Sequence, residues 1–172
     1  MEYEQYLKTQ IPEKDSLRIV KREAEQFYKT HDPDTCLQMG QALYRSDNFQ
    51  VQEVGVLLAG YAASQRTEAL DFLKDTVSGH NSWKVQEVLA MAFDCYCRKT
   101  GYEAALPVIE AWLASPCANV RRAATEGLRV WTSRPYFQDH PQAALALLAA
   151  HRQDESEYVR KSVGNAIRDI SK

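Results

Sequence analysis

Val51-Gln52-Glu53-Val54, Val85-Gln86-Glu87-Val88, Val120-Arg121-Arg122-Ala123 and Val159-Arg160-Lys161-Ser162 open four segments of one design, starting 34, 35 and 39 residues apart. Apolar or small residues recur three, four, seven and eight positions after each valine. They are Val88, Leu89, Ala92 and Phe93 in the second segment, and Ala123, Ala124, Gly127 and Leu128 in the third. This is the 3.6-residue period of an amphipathic helix, not the alternation of a strand. Polar or turn-forming residues precede each valine (Ser46-Asp47-Asn48, His80-Asn81-Ser82, Pro116-Cys117-Ala118-Asn119, Asp154-Glu155-Ser156) and supply N-cap regions. Further periodic stretches lie between, at Pro33–Tyr44, Thr67–Val77, Tyr102–Ala114 and Pro141–His151, with one more at Ser16–Thr30 covering the N-terminal end.

Two helices in each unit of roughly 34–40 residues is the period of HEAT-type arrays. One such unit cannot bury its apolar face alone, so consecutive units stack. The expected fold is all-α, an α-α superhelix (solenoid) of HEAT-like repeats. It forms a single domain over 1–172, with an N-terminal helical cap at about 1–32 and repeats at about 33–64, 65–99, 101–134 and 140–172.

Composition narrows the class. With 45% hydrophobic and 26% charged residues the chain is ordinary globular material, long enough to bury a core. No apolar run approaches the roughly 18 residues of a membrane span, and the N-terminal MEYEQYLKTQ is unlike a signal peptide. A cytoplasmic monomer without membrane contact is expected. Cys36, Cys95, Cys97 and Cys117 lack zinc-ligand spacing and read as buried or half-buried thiols. His31, His80, His140 and His151 fall at turns or helix ends, so no metal is implied. Phosphate-loop, dinucleotide and nucleophile-elbow motifs are absent, and no cofactor is expected. Charge is uneven: residues 1–80 hold 9 Lys/Arg against 13 Asp/Glu, and residues 81–172 hold 12 against 10. A polyanion would therefore bind the C-terminal half.

At about 100° per residue, the face opposite the apolar stripe carries Glu53, Glu87, Asp94, Arg98, Arg122, Glu126, Arg129, Arg134, Lys161, Asn165, Arg168, Asp169 and Lys172. Such a face is either a solvated surface of paired charges or a ligand groove. In a groove, cations would hold a phosphate backbone while carboxylates meet an electron-poor centre. Glu87, Glu126 and Asp169 would repel a purely phosphate ligand, so their presence among cations asks for a reason. Trp83, Trp131, Tyr136 and Phe137 offer rings that either stack on a base or sugar or pack between helices. Trp83 shares a helix face with Glu87, one turn on. Trp112, behind Leu106, Ile109 and Leu113, reads as core.

Ser82–Asp94 (SWKVQEVLAMAFD), Asn119–Phe137 (NVRRAATEGLRVWTSRPYF) and Tyr158–Lys172 (YVRKSVGNAIRDISK) resemble the HEAT-like-repeat alkylpurine DNA glycosylases, the AlkC and AlkD group. The resemblance runs from Ser82 to the end, and the first half matches only as generic helical repeat. It implies that Glu87, Glu126 and Asp169 stand where the family sets acidic residues around a damaged nucleotide. Trp83 and Glu87 keep the AlkD branch's Trp-x-x-x-acid spacing, and Arg121 or Arg122 would lie near the DNA backbone. Asn165 stands where the AlkD branch has a second aromatic residue.

The function so implied is excision of positively charged N3- or N7-alkylated purines from double-stranded DNA by hydrolysis of the N-glycosidic bond. Cleavage builds oxocarbenium character on the sugar, which a carboxylate stabilises while orienting water. Glu87 and Asp169 are the candidates for that role, with Glu126 holding an arginine or water. Arg121, Arg122, Arg129, Arg134, Lys161 and Arg168 would hold phosphates, with Trp83, Trp131 and Asn165 alongside the nucleotide. The competing expectation is a non-catalytic repeat protein that binds DNA, a protein or a peptide along its groove.

Overall fold

The computed structural model describes residues 1–172 and contains no strand. Its helices are α1 (Glu2–Gln10), α2 (Leu17–Thr30), α3 (Pro33–Leu43), α4 (Phe49–Ala62), α5 (Thr67–Asp75), α6 (Trp83–Thr100), α7 (Leu106–Leu113), α8 (Ala118–Gly127), α9 (Pro135–Asp139), α10 (Pro141–Ala149) and α11 (Glu157–Ile170). Short 3₁₀ turns lie at Val77–Gly79 and Trp131–Ser133. The chain divides into two compact units, Met1–Ala92 and Phe93–Lys172, with the boundary inside α6.

The four valine segments are the second helices of their pairs, α4, α6, α8 and α11, and each valine is buried. The residue after the valine has a job that periodicity did not reveal. Gln52 donates to the Ser46 carbonyl at 2.8 Å, and Gln86 to the carbonyls of Val77, Ser78 and His80 at 2.8–3.1 Å. Arg121 donates to the carbonyls of Ser115 and Pro116, and Arg160 to those of Asp154 and Glu155. In every pair, this side chain donates to carbonyls where the chain turns between helices, groups that are costly to bury unpaired. Two of the four also reach the following turn. Gln52 Oε1 lies 3.0 Å from His80 Nε2, and Arg121 grips Asp154.

In the first unit α4 is the central helix, packed against α1, α2, α3 and α5. It meets α3 at a glycine crossing. A Cβ on Gly55 would stand 2.5 Å from the Gly40 carbonyl oxygen, and one on Gly40 2.7 Å from that of Gly55. Only two glycines allow backbones this close. In the second unit Trp112 stacks on Phe93 with centroids 4.1 Å apart, as expected of a core residue, and Trp131 packs on Phe137 at 4.9 Å.

Three local expectations are corrected. Helical periodicity in the sequence runs past Gly127, but α8 stops there. Leu128 caps it, Val130 takes a left-handed φ of 51°, and Trp131–Ser133 forms a separate 3₁₀ turn. Arg129, Trp131 and Arg134 therefore do not continue one helix face. The stretch expected as a helix from Tyr102 starts at Leu106, where Pro107 suits a first turn, after the left-handed Gly101 (φ 92°) closes α6. Glu53, expected on the charged face opposite the apolar stripe, is 2% exposed. That face of α4 also carries Leu57, Gly60 and Tyr61, and a helix apolar all round is buried all round.

Candidate active site and nucleic-acid interface

The first unit holds a cleft of about 250 Å³ between the N-terminal turns of α4 and α6 and the segment leading into α2. Trp83, the first residue of α6, is 68% exposed at its rim, and Glu87, half-buried, lies one turn further along the same face. Leu17, Val88 and Met91 give it apolar wall. Gln50, buried on α4, fixes the opposite side: its amide donates to the Pro12 carbonyl at 2.7 Å and accepts the Ser16 N–H at 2.8 Å. That clamp presents Asp15, which pairs with Lys84 at 3.0 Å, while the Lys84 ammonium lies 4.5 Å above the Phe49 ring.

Glu53 also lines this cleft, and its Oε2 is buried without a hydrogen-bond partner. Burial raises its carboxyl to about 7, Asp15 pushes it the same way, and Lys84 opposes both. A carboxyl group left unsatisfied in this way is costly and is the kind of strain found at functional sites. Helical periodicity places Glu53 on the helix without pointing to a role for it. The available signal was a lone acid on a helix otherwise apolar all round.

In the second unit one arginine links two acids. Arg129 Nε donates to Asp169 Oδ2 at 2.9 Å, and its Nη1 lies 3.8 Å from Glu126 Oε2. The Ser162 hydroxyl donates to Glu126 Oε1 at 2.9 Å, and Lys172 Nζ lies 3.5 Å from Asp169 Oδ1. Arg129 holds the Asp169 carboxyl below the usual aspartate range. Arg134 donates to Asp94 at 3.1 Å, and Tyr102 donates to the other oxygen of Asp94 at 2.8 Å. Lys161 is exposed and pairs with Glu157 at 2.7 Å; Arg168 is exposed, and Arg122 and Asn165 are half-buried.

Two expected nucleic-acid contacts are corrected. Trp131 is fully buried, with its indole N–H on the Thr125 carbonyl at 3.2 Å, because the turn after Gly127 folds it into the core. Arg121 is 6% exposed and committed to two turn carbonyls and Asp154. Phe137 is likewise core. The four cysteines are free thiols, three buried and Cys117 half-buried; burial pushes the Cys95 and Cys97 thiols up. No three His, Cys, Asp or Glu side chains gather where they would hold a metal ion. No helix is long and apolar enough to cross a membrane.

Paired helices, repeated carbonyl clamps and an exposed tryptophan beside carboxylates define a HEAT-like helical repeat protein of the α-α superhelix class. Residues 14–172 match the family described as DNA alkylation repair enzyme, and the chain belongs to that family. Two solved structures are similar along nearly the whole length. AlkD2 from Streptococcus mutans is 45% identical with a TM-score of 0.94, and smu.31 from Streptococcus mutans UA159 is 46% identical with a TM-score of 0.92. Each comparison covers 99% of this chain and 82% of the other. The uncharacterized protein YhaZ of Bacillus subtilis (strain 168) is 46% identical over 66 residues, 36% of this chain and 18% of that protein.

Proposed function

We propose that this protein binds alkylated double-stranded DNA and hydrolyses the N-glycosidic bond of positively charged N3- or N7-alkylated purines. The observation that carries this reading is Trp83, a large aromatic side chain held 68% in solvent one helical turn from the Glu87 carboxylate. An exposed tryptophan beside an acid is suited to pressing on a sugar or unstacked base where positive charge develops. As the C1′–N bond breaks, its electron pair neutralises the purine and the sugar becomes an oxocarbenium ion. Water adds at C1′ and gives its proton to the Glu87 carboxylate, the site's general base. Asp169 and Glu126 flank Arg129 and direct its guanidinium, with Arg122, Arg168 and Lys161 as further cations directed at phosphates. No metal or organic cofactor enters this scheme.

A second reading, a family member that binds DNA without excising bases, is favoured by one observation. Arg121, Arg129 and Arg134 each pair with an acid of their own unit, so fewer cations are left to neutralise phosphates. Release of methylated purines from alkylated duplex DNA distinguishes the two, with Glu87→Gln, Asp169→Asn as the comparison. Release by the parent and none by the folded variant supports the glycosylase. No release at high protein excess overturns it and leaves the binder.

A further inference from the structure

We propose that the open side of the helix pair α10–α11 is a docking face for a helix pair of a partner protein that brings a carboxylate in the turn between its helices. The inference does not depend on the function proposed above.

The clamp residues carry it. Arg121 divides its guanidinium in two. Nη1 donates to the Ser115 and Pro116 carbonyls of its own turn, and the Nε–Nη2 edge holds Asp154 from the turn of the next pair. Arg160 stands at the equivalent place on α11 and makes the first half of this arrangement. Its Nη1 donates to the Asp154 and Glu155 carbonyls at 2.6 and 3.0 Å. No carboxylate meets its Nε–Nη2 edge, and Glu157, the acid one turn back, pairs with Lys161 at 2.7 Å. Arg160 is accordingly exposed, whereas Arg121 is buried.

The rest of α11 is open in the same register. Five residues after the four valines stand Val56, Ala90, Thr125 and Gly164, and eight after them Ala59, Phe93, Leu128 and Ile167. The first three of each set are buried, but Gly164 is exposed and Ile167 half-buried. A Cβ on Gly164 would meet nothing within 4 Å, so inside this chain the glycine weakens the helix and gains no close packing. Against an arriving backbone it would act as Gly40 and Gly55 do where α3 crosses α4. The other helix of the pair is under-covered too. Residues 143–149 are Ala or Leu throughout, yet only Ala144 and Leu148 of α10 are buried. A helix with no charged face is suited to burial on more than one side.

These features define the partner. Uncovered Ile167 and the half-buried Leu145 and Leu147 fit an apolar helix stripe, Gly164 fits a close backbone, and the Arg160 edge fits a carboxylate presented as Asp154 is. Repeat arrays stack such units one on the next.

The test adds a pair of known shape. Residues 141–172, whose α11 packs on α8, are repeated after Lys172 of the whole chain, and unfolding is followed by circular dichroism. The added pair should form helix and raise the unfolding midpoint by about 5 °C or more in one transition. Asp154→Asn in the added copy, or Arg160→Ala at the face, should each cancel most of that gain, measured against the unextended chain with the same residue 160. The two together should lose no more than either alone. Gly164→Leu, at an exposed position, should leave the unextended chain folded and abolish the gain. An added pair that stays unfolded, or a gain indifferent to these substitutions, overturns the proposal. Light scattering and gel retardation of the unextended chain check the other occupants. A dimer lost on Gly164→Leu would assign the face to a second copy. Retardation of unmodified duplex DNA lost on Arg160→Ala would assign the open edge to a phosphate. Either result overturns the partner pair, and a monomer whose DNA binding ignores Arg160 upholds it.

Discussion

The guanidinium of Arg121 on α8 holds the carboxylate of Asp154 at two points, Nε to Oδ2 at 2.7 Å and Nη2 to Oδ1 at 2.8 Å, across 33 residues of chain. Both side chains are almost fully buried, and Arg121 also satisfies two carbonyls of its own turn. Removing one member of such a pair strands the other, so Arg121→Ala should cost about 3–5 kcal/mol in urea unfolding. The Arg121 hydrogen bond holds Asp154 below its ordinary value of 3.8. The pair's stabilisation is therefore present above that value and lost as pH falls below it towards the folded pKa. A parent protein no more stable than Arg121→Ala at pH 5 would contradict this account.

Glu53 carries the opposite sign. Its folded pKa of about 7 lies above the ordinary 4.5, so between those values the folded chain keeps a proton that the unfolded chain has lost. Stability should fall as pH rises through that window, and the penalty is complete above it. Glu53→Gln should raise stability by about 1–3 kcal/mol at pH 8 and change little at pH 4. Thermal or urea unfolding at the two pH values provides the comparison.

The two tryptophans should separate cleanly. Trp131 is fully buried, and Trp131→Ala should destabilise by about 3–5 kcal/mol. Trp83→Ala should leave stability within about 0.5 kcal/mol and instead reduce purine release from alkylated DNA. A Trp83→Ala protein that unfolds early, or that excises as well as the parent, would remove the basis for placing the reaction there.

Gly55→Ala tests the helix crossing. Its Cβ would meet the Gly40 carbonyl at 2.5 Å, a backbone atom that cannot swing aside. The variant should lose about 1–3 kcal/mol or more, whereas Gly164→Ala, with nothing near its Cβ, should be neutral or stabilising. Urea midpoints of the two variants provide the check.

The all-α repeat architecture was legible in the sequence because helical burial is written as a period. Val51, Val85, Val120 and Val159 recur with apolar partners at fixed offsets, and every one is core. The adjacency of Trp83 and Glu87 was legible for the same reason, since two residues four apart on a helix share a face whatever surrounds it. The likeness of the C-terminal half to the alkylation repair group was carried by contiguous residues and needed no coordinates.

Periodicity ends where the helix ends, and it says nothing about what covers a helix's other side. The left-handed turn at Val130 sent Trp131 inward, although an unbroken helix would have kept it beside Arg129. Arg121 and Arg122 read alike in the sequence. One lies against a turn and Asp154 while its neighbour is half-buried, and a single step of 100° decides between them. The sequence by itself determined the recurring helices of the repeats and the composition of the Trp83–Glu87 face, because these depend on spacing along one chain. Only the tertiary structure decided that Glu53 is buried with an unpartnered oxygen and that Arg121 is a clamp, because desolvation and ion pairing depend on which distant segment arrives alongside.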